Sequence, residues 1–152
     1  MAMRSLVAIT AAAALAVSSF AAASAGTAQA TWTTSDKAAA LHAAHHEANR
    51  IGKHTDSTGW PTNVHRVTAV IRSGSVPGGS NTGHPCGRGQ HAVITLTGRF
   101  PKIIVSGTPG SGNTEVHGVI ATTKLGSRQV CQLSVQTGKV TPAPNSVVLF
   151  RR

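Results

Sequence analysis

From Val64 onward the chain reads in twos, and that period restricts its fold more than any other feature. Between Val64 and Arg72, His65, Val67, Ala69 and Ile71 fall on one side of an extended chain, with Arg66, Thr68 and Arg72 on the other. Gln90 to Phe100 repeats the pattern, with Ala92, Ile94, Leu96 and Phe100 inward and His91, Thr95 and Arg99 outward. Glu115–Thr123 and Gln129–Gln136 form two further strands around Lys124-Leu125-Gly126-Ser127, at hairpin spacing. Cys131, Leu133 and Val135 share a face of the second, and Ser146–Phe150 is short enough for a closing strand. A period of two cannot line the face of a helix. This part of the chain is committed to an antiparallel sheet.

One segment breaks the rule. Ala38, Leu41, Ala44, Ala48 and Ile51 recur at helical spacing, which predicts a helix over Asp36–Ile51 capped by Ser35. Asp36 and Arg50 complement its dipole, and Gly52 supplies the stop. The stripe is mostly alanine, which suits close packing on a sheet. Ser73–Gly89, rich in Gly, reads as a long exposed loop, and Trp60 reads as a lid over one end of the core. Pro101 ends or kinks its strand, Lys102–Ser106 continues as an edge, and Gly107–Thr114 is a turn. Pro142-Ala143-Pro144 is a stiff spacer. The fold class is α+β: one N-terminal helix packed on a curved antiparallel sheet of four to five strands.

The N-terminus is of another kind. Met1–Arg4 is a short positive stretch, Leu6–Val17 is apolar apart from Thr10, and Ala-x-Ala sites end at Ala25 and Ala30. That order predicts a signal peptide over residues 1–30 and one secreted domain over 31–152. Export gives the two cysteines a meaning. In an oxidising compartment Cys86 and Cys131 pair, stabilising the fold by roughly 4 kcal/mol through loop closure.

Val67-Thr68-Ala69-Val70, Gly98-Arg99-Phe100, Pro109-Gly110 and the strand pair ending in Thr137-Gly138 loosely resemble cystatin-like and PepSY-like wedges. They also resemble small secreted actinobacterial proteins of unknown function that share such a half-domain. The resemblance implies a fold and a location, and no activity. Cystatin-type inhibition needs a Gln-x-Val-x-Gly hairpin, which Gln129-Val130 and Gln132 do not supply.

The residue inventory narrows the chemistry. His42 and His46, one helical turn apart, offer a transition metal two imidazoles, although Lys53 on the same stripe repels a cation. His46-Glu47-Ala48-Asn49-Arg50 has Arg where a zinc-protease motif needs its second His. Cys86 with His84 or His91 offers a nucleophile pair, which a disulfide would silence. The glycine-rich run at Gly107–Thr114 has Asn113 where a phosphate loop needs Lys. Carboxylate catalysis is short of material, since Asp36, Glu47, Asp56 and Glu115 are the only acids. No cofactor is implied.

Charge is the broadest signal. Fourteen Lys and Arg stand against four acids, giving +10 before eight His are counted. Such a chain attracts anionic polymers or membrane surfaces. Aromatics for base stacking are nearly absent, which argues against specific nucleic-acid recognition. The expectation is a non-enzymatic interaction domain, secreted or held at the cell wall, using Arg66, Arg72, Arg99, Lys102 and Arg128. A His-dependent metal binder is the alternative.

Overall fold

The computed structural model describes residues 30–52, 54–76, 82–100 and 115–152. It contains one helix, α1 (Thr34–Ile51), followed by β1 (Val64–Val76), β2 (Gly87–Phe100), β3 (Val116–Lys124), β4 (Val130–Gln136) and β5 (Val147–Arg151). The strands form an open antiparallel sheet in the order β4-β3-β2-β1-β5. The described residues form the expected α+β class: one helix and, where four to five strands were expected, a five-stranded antiparallel sheet.

The sheet follows from the alternation. Val67 pairs with Leu96, and Leu96 with Val119; one step along, Ala69, Ile94, Ala121 and Leu133 form the next row. Directly paired residues share a face, so these rows make one apolar surface. The helix covers it with Ala40, Ala43, Ala44 and Ala48, and Phe100 and Val116 fill one end. Alanine has no side chain beyond Cβ, so the helix backbone approaches the sheet closely.

The helix differs from its sequence reading in two ways. Its N-cap is Thr33, two residues before Ser35: the Asp36 amide donates to Thr33 Oγ1 at 3.0 Å, and the Thr33 amide donates to Asp36 Oδ2 at 3.2 Å. This reciprocal pair is a capping box with Asp in the place of Glu. Its buried face is Ala39, Ala40, Ala43, Ala44, Glu47 and Ala48, while Ala38 and Leu41 face solvent. When alanines lie nearly all round a helix, periodicity cannot choose between adjacent faces. Gly52 does end the helix, with φ at −81°. Glycine is needed there because a Cβ would collide with Pro61.

The segment Ser73–Gly89 is only partly the expected loop. β1 and β2 stay paired as far as Val76 and Gly87, which lengthens the hairpin through the glycine-rich stretch. Gly74 and Gly89 face each other at φ of 139° and 126°, a conformation glycine tolerates. His91, expected outward, does lie on the face away from the helix yet is only 1% exposed, with Nε2 3.3 Å from the Cys86 carbonyl oxygen. His65 departs from the expected inward set and is exposed, because a bulge between Val64 and Arg66 shifts the start of β1, whereas Ile71 keeps its register opposite the inward Ala92. The turn and edge expected over residues 101–114 lie outside the described residues.

β4 and β5 occupy opposite edges, so the connection through residues 137–146 must traverse the sheet. Four interstrand spacings make about 19 Å, within the reach of ten extended residues. Val140 seats against Gly118, on the face opposite the helix. Asn145 reaches the same cavity wall as Val70. Thr68 and Val70, whose parity aims them away from the helix, are buried as well. Trp60 caps the other side as expected, stacked on Phe150 at 4.5 Å between ring centroids.

Candidate functional site

Three separate segments meet at a cleft of about 340 Å³. The helix contributes His42, His46 and Glu47; the segment leading into β2 contributes Thr82 and His84; the β3–β4 turn and β4 contribute Arg128, Gln129 and Val130. Each arrives for a local reason. His42 and His46 are one turn apart on the helix, and Glu47 follows at the edge of its buried face. His84 is carried in by the Cys86–Cys131 disulfide two residues later, whose Cα atoms are 5.1 Å apart. Cys131 is the extra residue where Thr122 pairs with Gln132 and Thr123 with Val130. A bulge at that position turns a side chain out of the regular alternation. Arg128 is presented by a turn in which the Ser127 amide donates to the Lys124 carbonyl at 2.9 Å and Gly126 takes φ 79°.

Glu47 is the one acid at the cleft. Its side chain is 7% exposed, and Arg50 Nε donates to its Oε2 at 2.8 Å while His46 Nδ1 lies 3.5 Å from Oε1. Sequence reasoning missed this burial. The signal was available: Arg50 stands three residues on, the spacing that lets a helix neutralise a carboxylate beside its apolar face.

The four described cations that the sequence designates fall in three places. Arg128 lines the cleft. Arg66 and Arg72 lie on the face opposite the helix, where Arg66 is paired with Arg151 of β5 and Arg72 with His91 of β2. Arg99 is exposed but engaged, its Nε donating to Glu115 Oε1 at 3.0 Å. Lys102 lies outside the described residues. The five therefore do not converge on one site. Of the metal candidates, His42 and His46 do share the cleft, and His84 joins them. Among the described residues, however, no group of three or more His, Cys, Asp or Glu is disposed to hold a metal ion. Arg128 adds positive charge beside the imidazoles. The Cys86 sulfur, bonded to Cys131, is no nucleophile in this state.

A second polar cluster serves the fold. His45 Nε2 donates to the Gly59 carbonyl at 2.7 Å, its Nδ1 faces Asn49 Nδ2 at 3.2 Å, and its ring meets the Trp60 edge at 4.9 Å. Arg152 donates through Nη1 to the carbonyls of Pro61, Thr62 and Val64 at 3.2, 2.9 and 3.1 Å, and pairs with Asp56 through Nη2. One guanidinium thus ties the connector between α1 and β1 to the C-terminal strand.

Two carboxylates are shifted by these pairings. The Thr58 hydroxyl holds the Asp56 carboxyl below its ordinary range, helped by the Thr58 amide and Arg152 against the opposing effect of burial. The hydrogen bond from Arg99 does the same for Glu115. No protein-family model matches the chain, and no curated protein or solved structure is significantly similar to it.

Proposed function

We propose that this chain is a secreted, non-enzymatic interaction domain that adheres to anionic polymers of a cell surface. One observation carries the reading: every carboxylate the sequence possesses is already engaged locally. Asp36 closes the helix cap, Glu47 pairs with Arg50, Asp56 with Arg152, and Glu115 with Arg99 and His117. With four acids so committed against thirteen Lys and Arg (fourteen less Arg4 of the signal), no ion pair joins the other described cations to a carboxylate. Arg66 and Arg151, directly paired across β1 and β5, repel one another. A polyanion laid along that edge relieves the repulsion, which a neutral ligand does not.

Retention on immobilised polyphosphate, measured through a salt series, tests the reading. The protein is retained at low salt and released as screening shortens the reach of its charges. No retention at low salt, or retention indifferent to salt, counts against it. Export has its own test, the N-terminal residue of the mature chain, expected to follow Ala25 or Ala30. The second reading, a transition metal held by His42 and His46, has only their one-turn spacing on the helix in its favour, since among the described residues no third ligand is placed with them. Zinc titration that finds no binding below millimolar removes it.

A further inference from the structure

The geometry points to a second concavity, at the free edge of β1, as a binding pocket for one uronic acid ring of an acidic polysaccharide. The inference rests on the reading of this chain as a polyanion binder, and it names the kind of anion. The pocket exists because β5 is short. β5 pairs with β1 only from Arg66 to Ala69, whereas β1 runs on to Val76, so past Ala69 that side of β1 has no strand among the described residues. The chain enters β5 through a tight turn, in which the Ser146 amide donates to the Ala143 carbonyl at 3.2 Å with Pro144 and Asn145 between them. Pro is preset for the first central position of such a turn, and Asn tolerates the left-handed second, where its φ is 60°. The turn carries the chain off the β1 edge, and a cavity of about 350 Å³ remains.

Its lining divides as a sugar does. Val70, Ile71 and Val147 give aliphatic surface, Trp32 an indole, and Lys37, Asn145 and Thr31 the polar groups. A pyranose ring presents C–H bonds on its faces and hydroxyls around its rim, so its faces suit the apolar surfaces and its rim the amide and hydroxyl. Lys37 selects the anionic member of the class. It is exposed in the first turn of α1, and among the described residues neither it nor Asn145 is engaged in an ion pair or a side-chain hydrogen bond. Asp36 beside it is held in the helix cap by Thr33, which leaves Lys37 as the one charged side chain among the described residues that line the pocket. A phosphate chain makes no use of an indole. An added peptide strand needs the edge as far as Val76, whereas residues 30–32 already stand at that edge, in the same cavity as Val70 and Ile71. A compact ring bearing one carboxylate fits both constraints.

Trp32 is one of two indoles, and the other, Trp60, is buried and stacked on Phe150, so a change in emission on adding ligand reports this pocket. Titration of the purified chain with trigalacturonate, followed by tryptophan emission and by isothermal titration, tests the site. Saturable binding is expected, with the methyl-esterified trimer, which keeps the rings and lacks the charges, at least several-fold weaker. Lys37→Gln, a surface change, should lower the affinity for trigalacturonate by about tenfold and that for the ester less than twofold. Trp32→Ala should lower both. Parent-like affinity for trigalacturonate in Lys37→Gln and Trp32→Ala overturns the pocket. So does triglutamate binding as tightly as trigalacturonate, which would mark a site for carboxylates or for an acidic peptide. Absence of saturable trigalacturonate binding overturns it as well, and polyphosphate retention that persists beside that result leaves the polyanion reading standing. Saturable binding weakened in Lys37→Gln upholds the pocket even where polyphosphate is not retained, and then the general reading alone falls.

Discussion

Single side chains decide how much charge this molecule has to spare. Asp56 is the clearest case. Because its carboxyl is held below the ordinary range, first by the Thr58 hydroxyl, its contribution to stability is present above the unfolded Asp value near 3.9 and is lost as pH falls through its lower folded value. Glu115, lowered by Arg99, behaves in the same sense. Urea midpoints should therefore fall on acidification below about pH 4, and Asp56→Asn should reduce that dependence. An acid limb identical in the variant and the parent contradicts the assignment. Two other residues give predictions of opposite sign. Thr123 Oγ1 is a buried hydroxyl without a hydrogen-bond partner among the described residues, so Thr123→Val should stabilise by about 1 kcal/mol in the same assay. Gly98 sits under the Asn63 carbonyl, which accepts from the Arg99 amide at 3.1 Å; Gly98→Ala forces that contact apart and should cost about 1–3 kcal/mol. The close approach of Asn63 to Gly98 was not legible beforehand, because the two are distant in the chain. His91 shows the same limit: its place on the outward face was readable from alternation, but its burial under the segment containing Cys86 was not.

Elements were legible in proportion to the strength of their period. Ala92, Ile94, Leu96 and Phe100 are buried as alternation requires, since one face of a central strand must meet the helix and a slip by one residue would expose them all. The helix was placed correctly along the chain yet turned on its axis, because alanine gives no contrast between faces and because Arg50 lets Glu47 be buried. The extension of the β1–β2 hairpin was hidden by its glycines, which weaken a strand signal without forbidding a strand. The strap from β4 to β5 was read as a stiff spacer; that it crosses the sheet follows only from the edge positions of the strands it joins. The disulfide matters at this scale because it fixes an irregular segment to a sheet edge. Replacing Cys86 and Cys131 together with Ser should cost about 2–5 kcal/mol of unfolding free energy. An unchanged urea midpoint would show that the segment holding His84 is kept in place by other contacts.

For the molecule as a whole, the imbalance between cations and acids was readable at once, while its distribution was not. Sequence suggested five cooperating basic residues. The fold instead sends Arg66 and Arg72 to one face and Arg128 to the other, and couples Arg99 to Glu115. It also gathers into one cleft side chains that had entered as rivals, His42 and His46 as metal ligands, His84 as a partner of Cys86, and Arg128 as an anion contact. Topology brings them together, since the helix, the entry to β2 and the β3–β4 turn are far apart in sequence and adjacent in space. The account stands on surplus positive charge that the protein cannot neutralise from within. The most direct measurement is the affinity of the mature chain for soluble polyphosphate as a function of salt, taken on either side of the imidazole range near pH 6.5. Affinity should fall steadily with added salt at both pH values and be greater on the acid side. Affinity that ignores salt, or that weakens on acidification, contradicts it.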